Sequence, residues 1–287
     1  MATFFGEVLS GFSRAVDDDD DEELEEEEED LEIRREIEKE RELHVHWSSD
    51  ITAALEHSPE KRLPCTRFIV AVGENAAGFL SSCVLSSGGW ELAGYVKVWN
   101  ERCKESRPSN DLHPAASSCV FYRLISCPTV ILCLCCCYVA EDQQFHWPEK
   151  VFSSVQKRDL TVTILSTCPV ALYKTPESTY TLRGPFLRAL KTKEFRQDVT
   201  LCPLMEPPNI VDGFPAAVLS YCQVWQIPAV LYQCYTDLPR LDPVTVEAFR
   251  PLLSSQNLGS LAVDTSKSAE AMKTLMKTTE IQSNLYV

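Results

Sequence analysis

Four closely spaced cysteines are the first residues of this sequence that could do chemistry. Cys133, Cys135, Cys136 and Cys137 offer thiolates, which zinc favours as ligands. Zinc sites usually place Cys-x-x-Cys pairs on separate turns, whereas these cysteines fall on one predicted strand, where neighbours point to opposite faces. Four such thiols do not converge on one ion. We therefore expect no metal site and interpret these residues as small apolar side chains of a buried strand.

A glycine-flanked turn is the second candidate. The segment Gly73–Gly78 follows a predicted strand and opens a predicted helix, which is where a phosphate-binding loop would lie. Such a loop carries Lys and Ser or Thr after its last glycine, but Phe79 and Leu80 stand there instead. Glu74 would also repel phosphate. We interpret the segment as a tight strand-to-helix turn and expect no cofactor.

A histidine with acidic neighbours is the third candidate. Outside the acidic start of the chain, His146 has Asp142 and Glu149 at helical spacing. A general base needs a nucleophile or a metal within reach, and the sequence has no Gly-x-Ser-x-Gly motif. We expect a surface histidine and no catalytic residue. A hydrolase or phosphorylase-like α/β enzyme is the alternative that His146 and the turn at Gly73 leave open.

The carboxyl terminus offers a different chemistry, that of capture by another protein. Leu285, Tyr286 and Val287 form an apolar residue, a tyrosine and a variable residue before a free carboxylate. Backbone nests and lysine-bearing pockets bind free C-termini of this kind. Taken alone, the same three residues could be a frayed terminus.

The charge of the chain is concentrated in one segment. Residues 1–45 hold 19 acidic and 5 basic residues, so that segment has a net charge of −14 within a total of −15. The remaining chain is almost neutral and has no basic field that would attract phosphates. This distribution argues against nucleic acid as a partner.

The cysteine content points to a reducing compartment. Thirteen cysteines are an odd number, and their share of the 287 residues is below that of disulfide scaffolds. The start of the chain does not resemble a signal peptide. We expect reduced thiols in a cytoplasmic protein, with nuclear or endoplasmic-reticulum-associated pools as alternatives. Ala2 after the initiator methionine permits acetylation.

The apolar runs of the chain are short. The longest, 129–140, is too short to cross a bilayer as a helix, so no membrane insertion is expected.

The first 46 residues predict an arm rather than a domain. Phe4, Phe5, Val8 and Leu9 share one helical stripe, which either docks on a partner or stays disordered. The acidic run 17–30 repels itself and should be disordered, as a solvated spacer or as a steering arm toward a basic partner surface. An adaptor that works through this arm is a further functional alternative. From residue 31 to 43 the pattern is weakly helical.

Apolar strands alternate with helices through the body, and this pattern predicts that the body starts near Pro64. The pattern predicts strands at 67–72, 95–99, 119–124, 130–138, 160–165 and 229–235, and helices at 74–85, 148–155, 185–191, 215–225, 243–249 and 268–277. Alternation of this kind predicts a single α/β domain with a mainly parallel or mixed sheet covered by helices on both faces. We divide the chain into a largely disordered acidic arm (1–46), the α/β domain (47–262), and a helix with a flexible tail (263–287).

Several long segments resemble the proteasome assembly chaperone family. The similarity covers nearly the whole chain and is weakest in the acidic arm. The matching segments are Met1–Val8, Trp99–Cys103, Cys137–Gln144, Pro185–Thr192, Ala216–Trp225, Val246–Phe249 and Glu280–Val287.

The resemblance implies a non-enzymatic chaperone of the proteasome core particle. It implies a heterodimer with proteasome assembly chaperone 2, a related α/β protein, and binding to the proteasome α subunits during ring formation. The family's hydrophobic-Tyr-X tail maps onto Leu285, Tyr286 and Val287, which would dock between two α subunits. The resemblance also implies that the dimer prevents premature association of rings.

Overall fold

The computed structural model describes residues 28–98, 118–176, 184–196, 201–238 and 240–284. It contains two compact units, residues 1–40 and 41–287. The described part of the first unit, residues 28–40, lies in helix α1 (Glu28–Arg41), where the sequence pattern is weakly helical.

One mixed sheet organises the second unit. Its strand order is β1-β3-β4-β5-β2-β6-β8-β7. The strands are β1 (Val45–Trp47), β2 (Arg67–Val72), β3 (Trp90–Lys97), β4 (Ser118–Leu124), β5 (Val130–Cys135), β6 (Thr161–Pro169), β7 (Phe186–Lys191) and β8 (Ala229–Thr236).

The centre of the sheet is parallel and its margins are antiparallel. β5, β2, β6 and β8 pair in parallel, whereas β4, β3 and β1 on one side and β7 on the other pair antiparallel. β2 shows why the centre lacks polar alternation. Phe68 and Val70 belong to one buried cluster, and Ile69 and Ala71 belong to the cluster on the opposite face. A strand that is covered on both faces needs apolar side chains at every position.

Helices cover both faces of the sheet. α2 (Ser49–His57), α4 (His146–Ser153) and α5 (Gly213–Val224) contribute to one apolar cluster. α3 (Glu74–Cys83), α6 (Pro243–Ala248) and α7 (Thr265–Asn284) contribute to the other. The predicted single α/β domain with a mixed sheet and two covered faces is confirmed.

The body begins earlier than the apolar pattern indicates. The structure places β1 and α2 before Pro64, and β1 pairs with β3 across about fifty residues of sequence. The compact unit starts at Arg41, whose guanidinium lies 2.8 Å from Asp142. The start near Pro64 was therefore wrong, because a three-residue strand carries too little periodicity to be recognised.

One predicted helix is a strand. Residues 185–191 open with proline and contain good helix formers, but Phe186–Lys191 form β7 at the margin of the sheet. Leu187 and Ala189 face the core there and pair with β8. Tertiary pairing overrides the local preference at this position. Among the residues that the structure describes, no helix is long and apolar enough to cross a membrane.

Candidate functional site

The docking residues predicted from the sequence lie outside the described residues. This holds for the tail residues Leu285, Tyr286 and Val287 and for the N-terminal stripe of Phe4, Phe5, Val8 and Leu9. Their roles stay predictions. The structure does describe the helix that leads to the tail.

That helix, α7, is fixed to the body through its first turns. The hydroxyl of Ser268 lies 3.0 Å from the thiol of Cys83 on α3, and both groups are buried. Just before the helix, the amide of Val263 donates to the carbonyl of Cys83 at 2.9 Å. The less exposed positions recur every three or four residues, as in an amphipathic helix; they are Ser268, Ala271, Met272, Leu275 and Met276. The tail therefore follows a helix that is anchored on α3.

The histidine candidate does not form a catalytic arrangement. Nδ1 of His146 lies 3.7 Å from Glu149, and both side chains are more than two-thirds exposed. Asp142 pairs with Arg41 at 2.8 Å. The histidine therefore lacks the buried, oriented carboxylate that a general base would need.

The turn at Gly73 is tied to another loop of the protein. Gly73 has φ +87°, a conformation that favours glycine, and it precedes the first residue of α3. The carboxylate of Glu74 accepts a hydrogen bond from the amide of Leu241 at 3.0 Å. The buried side chain of Asn75 accepts from the amide of Asp242 at 2.7 Å and donates to two carbonyls of the same loop. These contacts occupy the start of α3 with internal partners.

A small cleft lies where β6 and β8 end. Its volume is about 300 Å³, and it is lined by Thr167, Cys168, Pro169, Thr236 and Asp237. The carboxyl ends of parallel strands are the usual ligand-binding edge of α/β enzymes. Burial raises the pKa of the Cys168 thiol, so this residue is a poor nucleophile. No histidine lines the cleft in the part of the chain that the structure describes.

Three thiols meet at one end of the β4–β5 pair. Cys119 lies opposite Cys135 in the strand register, and their sulfurs are 3.0 Å apart. The sulfur of Cys137 is 3.8 Å from Cys119 and 4.0 Å from Cys135. Among the residues described, these sulfurs form a group with metal-ligand spacing. Cys133 is buried outside this group, and Cys136 is exposed.

The sequence interpretation of the cysteines was therefore incomplete. Strand alternation does separate Cys135 from Cys136, as expected. However, β5 ends at Cys135, so Cys137 lies beyond the strand and is free of that alternation. Cys119 comes from the neighbouring strand. A cysteine on each of two predicted adjacent strands is the signal that could have indicated this group.

The thiols of this group have different acidities. Burial is the largest cause that raises the pKa of Cys119 well above its usual range. The pKa of Cys135 is raised mainly by its hydrogen bond with Cys119, and next by its hydrogen bond with Cys137. Hydrogen bonds with Cys119 and Cys135 lower the pKa of Cys137. The pKa of Cys137, the least buried member of the group, is therefore shifted in the direction opposite to that of the other two.

Comparisons with known proteins agree with the fold. A family model with the short name PAC1, described as "Proteasome assembly chaperone 4", matches residues 1–287. A solved structure from Pyrococcus furiosus, PbaA, described as an archaeal homolog of proteasome-assembly chaperone, has a TM-score of 0.56. It is 12% identical and covers 83% of this chain and 94% of its own. At that identity the likeness concerns the fold alone.

Curated relatives match from end to end. Proteasome assembly chaperone 1 of Xenopus tropicalis is 62% identical, with 100% of both chains covered. The human protein of that name is 51% identical, with 99% of both chains covered. The match to the Xenopus tropicalis protein includes the whole described fold. The chain therefore belongs to the proteasome assembly chaperone 1 family.

Proposed function

We propose that this non-enzymatic proteasome assembly chaperone promotes assembly of the core-particle α-ring as a heterodimer with proteasome assembly chaperone 2. In the same complex it prevents premature or aberrant dimerisation of the ring. The observation that carries this proposal is the end-to-end match to relatives named proteasome assembly chaperone 1, at 50–62% identity for those of frog, cattle and human origin. We place this activity in the cytoplasm.

The tail is the proposed contact with the ring. The carboxylate of Val287 would pair with a lysine between two adjacent α subunits. Tyr286 would fill the pocket and form a hydrogen bond there, while Leu285 would cover its rim. A short peptide of this kind binds weakly alone, because its ordering costs entropy. Attachment to a body that already contacts the ring raises its effective concentration.

The anchored helix supports this mechanism. α7 ends at Asn284, three residues before the terminus, and its first turns are attached to α3. Three extended residues reach at most about 10 Å. The pocket for Tyr286 would therefore lie within about 10 Å of the end of α7 in the complex. Such a short tether favours binding only if the body is correctly placed on the ring.

Substitutions in the tail test the mechanism. Tyr286→Ala should reduce recovery of α subunits by roughly tenfold or more, because removal of a buried aromatic anchor costs about 2 kcal/mol or more at an interface. Val287→Ala is the matched control, since it keeps the carboxylate and changes only the variable position. Both variants should retain chaperone 2. Undiminished recovery of α subunits with Tyr286→Ala would refute the tail mechanism and leave the family assignment intact.

The N-terminal segments are a second proposed contact. The stripe of Phe4, Phe5, Val8 and Leu9 would dock on a partner in the complex. Joint replacement of Phe4 and Phe5 by serine should then weaken capture of one partner and spare the other. If neither partner is lost, the stripe has no docking role.

The acidic arm requires a deletion that respects the fold. Removal of residues 13–40 spares Arg41, which pairs with Asp142, and β1, which pairs with β3. If the arm is a spacer, this deletion should leave partner recovery unchanged. Loss of both partners would instead favour an adaptor that works through its acidic arm.

A further inference from the structure

The three thiols at the end of the β4–β5 pair have the geometry of a metal site. The separations of 3.0, 3.8 and 4.0 Å place the sulfurs of Cys119, Cys135 and Cys137 on a circle with a radius of about 2.1 Å. An ion at the zinc–thiolate distance of about 2.3 Å would lie about 0.9 Å from the plane of the sulfurs. At this position all three Zn–S distances are met with the sulfurs where they lie.

The spacing of two of the three pairs fits tetrahedral coordination. Sulfurs around a tetrahedral zinc are about 3.8 Å apart, and Cys137 lies 3.8 Å from Cys119 and 4.0 Å from Cys135. For tetrahedral coordination, only the distance between the sulfurs of Cys119 and Cys135, which is 3.0 Å, would have to increase. Most of the described cysteines do not cluster in this way. Twelve free cysteines are described, and only these three form a group.

The surroundings of the three thiols favour a soft metal ion over a hard one. Cys119 and Cys135 belong to the apolar cluster that covers one face of the sheet, and Cys137 packs against it. Carboxylate and imidazole ligands are lacking from the group as far as the structure describes the chain, so hard ions such as Mg²⁺ and Ca²⁺ are poor candidates. Thiolate ligands select Zn²⁺ and Cu⁺. The least buried member, Cys137, marks the side from which an ion would enter.

We propose that Cys119, Cys135 and Cys137 bind one Zn²⁺ ion, with the fourth position taken by a water molecule. Binding is a ligand exchange: three Zn–S bonds form, the thiols that are still protonated release their protons to solvent, and no electron is transferred. The ion links β4, the end of β5 and the chain that leads to α4. Because only the folded chain brings these sulfurs together, the ion stabilises the folded state.

Zinc titration of the full-length, reduced chain tests the proposal. Zn²⁺ is added in competition with a chromophoric chelator, and Co²⁺ is used in parallel for its thiolate charge-transfer absorption. The wild-type chain should bind one equivalent tightly and show a higher Tm with Zn²⁺. Cys137→Ser should lower the affinity for Zn²⁺ more than about 100-fold, because it removes a ligand. Substitution of residues that only hydrogen-bond to metal ligands already lowers metal affinity by about 10–100-fold. Cys136→Ser, which changes the exposed neighbour outside the group, should bind like wild type.

Two results would overturn the proposal. The first is equal Zn²⁺ affinity in the wild-type and Cys137→Ser chains. The second is a Cys119–Cys135 disulfide in the protein isolated without added oxidant, detected by mass spectrometry after alkylation, because the closest pair would then be a redox pair. Cys119→Ala gives an independent loss of one ligand if circular dichroism shows that it folds. If it does not fold, Cys137→Ser alone decides the outcome, because its side chain is the least buried of the three.

Discussion

At the scale of single residues, two adjacent cysteines differ in acidity. Hydrogen bonds with Cys119 and Cys135 lower the pKa of Cys137, whereas the exposed Cys136 lies outside this group. A lowered pKa raises the fraction of a thiol that is thiolate at neutral pH, and the thiolate is the reactive form. Sequence alone does not distinguish the two, because the difference arises from Cys119 on another strand.

This difference predicts selective alkylation. With a chelator present and iodoacetamide at pH 7, Cys137 should react faster than Cys136, although Cys136 is the more exposed residue. Raising the pH should narrow the difference, since the Cys136 thiol then loses its proton as well. Peptide mass spectrometry after short labelling times measures both rates. Faster labelling of Cys136 at pH 7 would contradict the assigned acidities.

A second residue-scale prediction concerns Asn75. Its buried amide group binds two carbonyls and one amide of the loop before α6. Asn75→Ala would leave these backbone groups without partners, at a cost of about 1–3 kcal/mol each where they stay buried. The free energy of unfolding in urea should fall by about 3 kcal/mol. Glu74→Gln keeps an acceptor for the amide of Leu241 and should change it by less than about 1 kcal/mol.

At the scale of elements, the central strands were predictable and the marginal ones were not. β2 and α3 follow directly from an apolar run that ends at Gly73. β7 was assigned as a helix, because the sequence of 185–191 has helix formers and the pairing with β8 is not local. β1 was missed because its three residues gain their structure from β3. The local sequence pattern carries no information about strand pairing across long sequence separations.

The attachment of β1 gives a prediction at this scale. A Cβ added at Gly94 on β3 would collide with the carbonyl oxygen of His46, which is backbone and cannot turn aside. Gly94→Ala should therefore displace β1 and speed hydrogen exchange of the amides in 45–47. Gly89→Ala, where the nearest atom is 3.9 Å away, is the control and should leave that exchange unchanged. Unchanged exchange in Gly94→Ala would show that β1 does not depend on close packing against β3.

At the scale of the whole molecule, the chain combines an acidic arm, an almost neutral body and a short tail after an anchored helix. The fold class was predictable, because alternating strands and helices leave few alternatives to a covered sheet. The docking residues Tyr286 and Leu285 were predicted from the tail pattern and the family resemblance, not from geometry, since their pocket would belong to another chain. The thiol group was not predicted, because it exists only when β4 and β5 pair.

The central claim is that this body serves assembly of the α-ring. Affinity purification of the tagged full-length chain from cells, followed by identification of the bound chains, tests it most directly. The account predicts recovery of proteasome assembly chaperone 2 together with α subunits and without β subunits. Recovery of neither chaperone 2 nor α subunits, or recovery of β subunits in amounts equal to the α subunits, would contradict it.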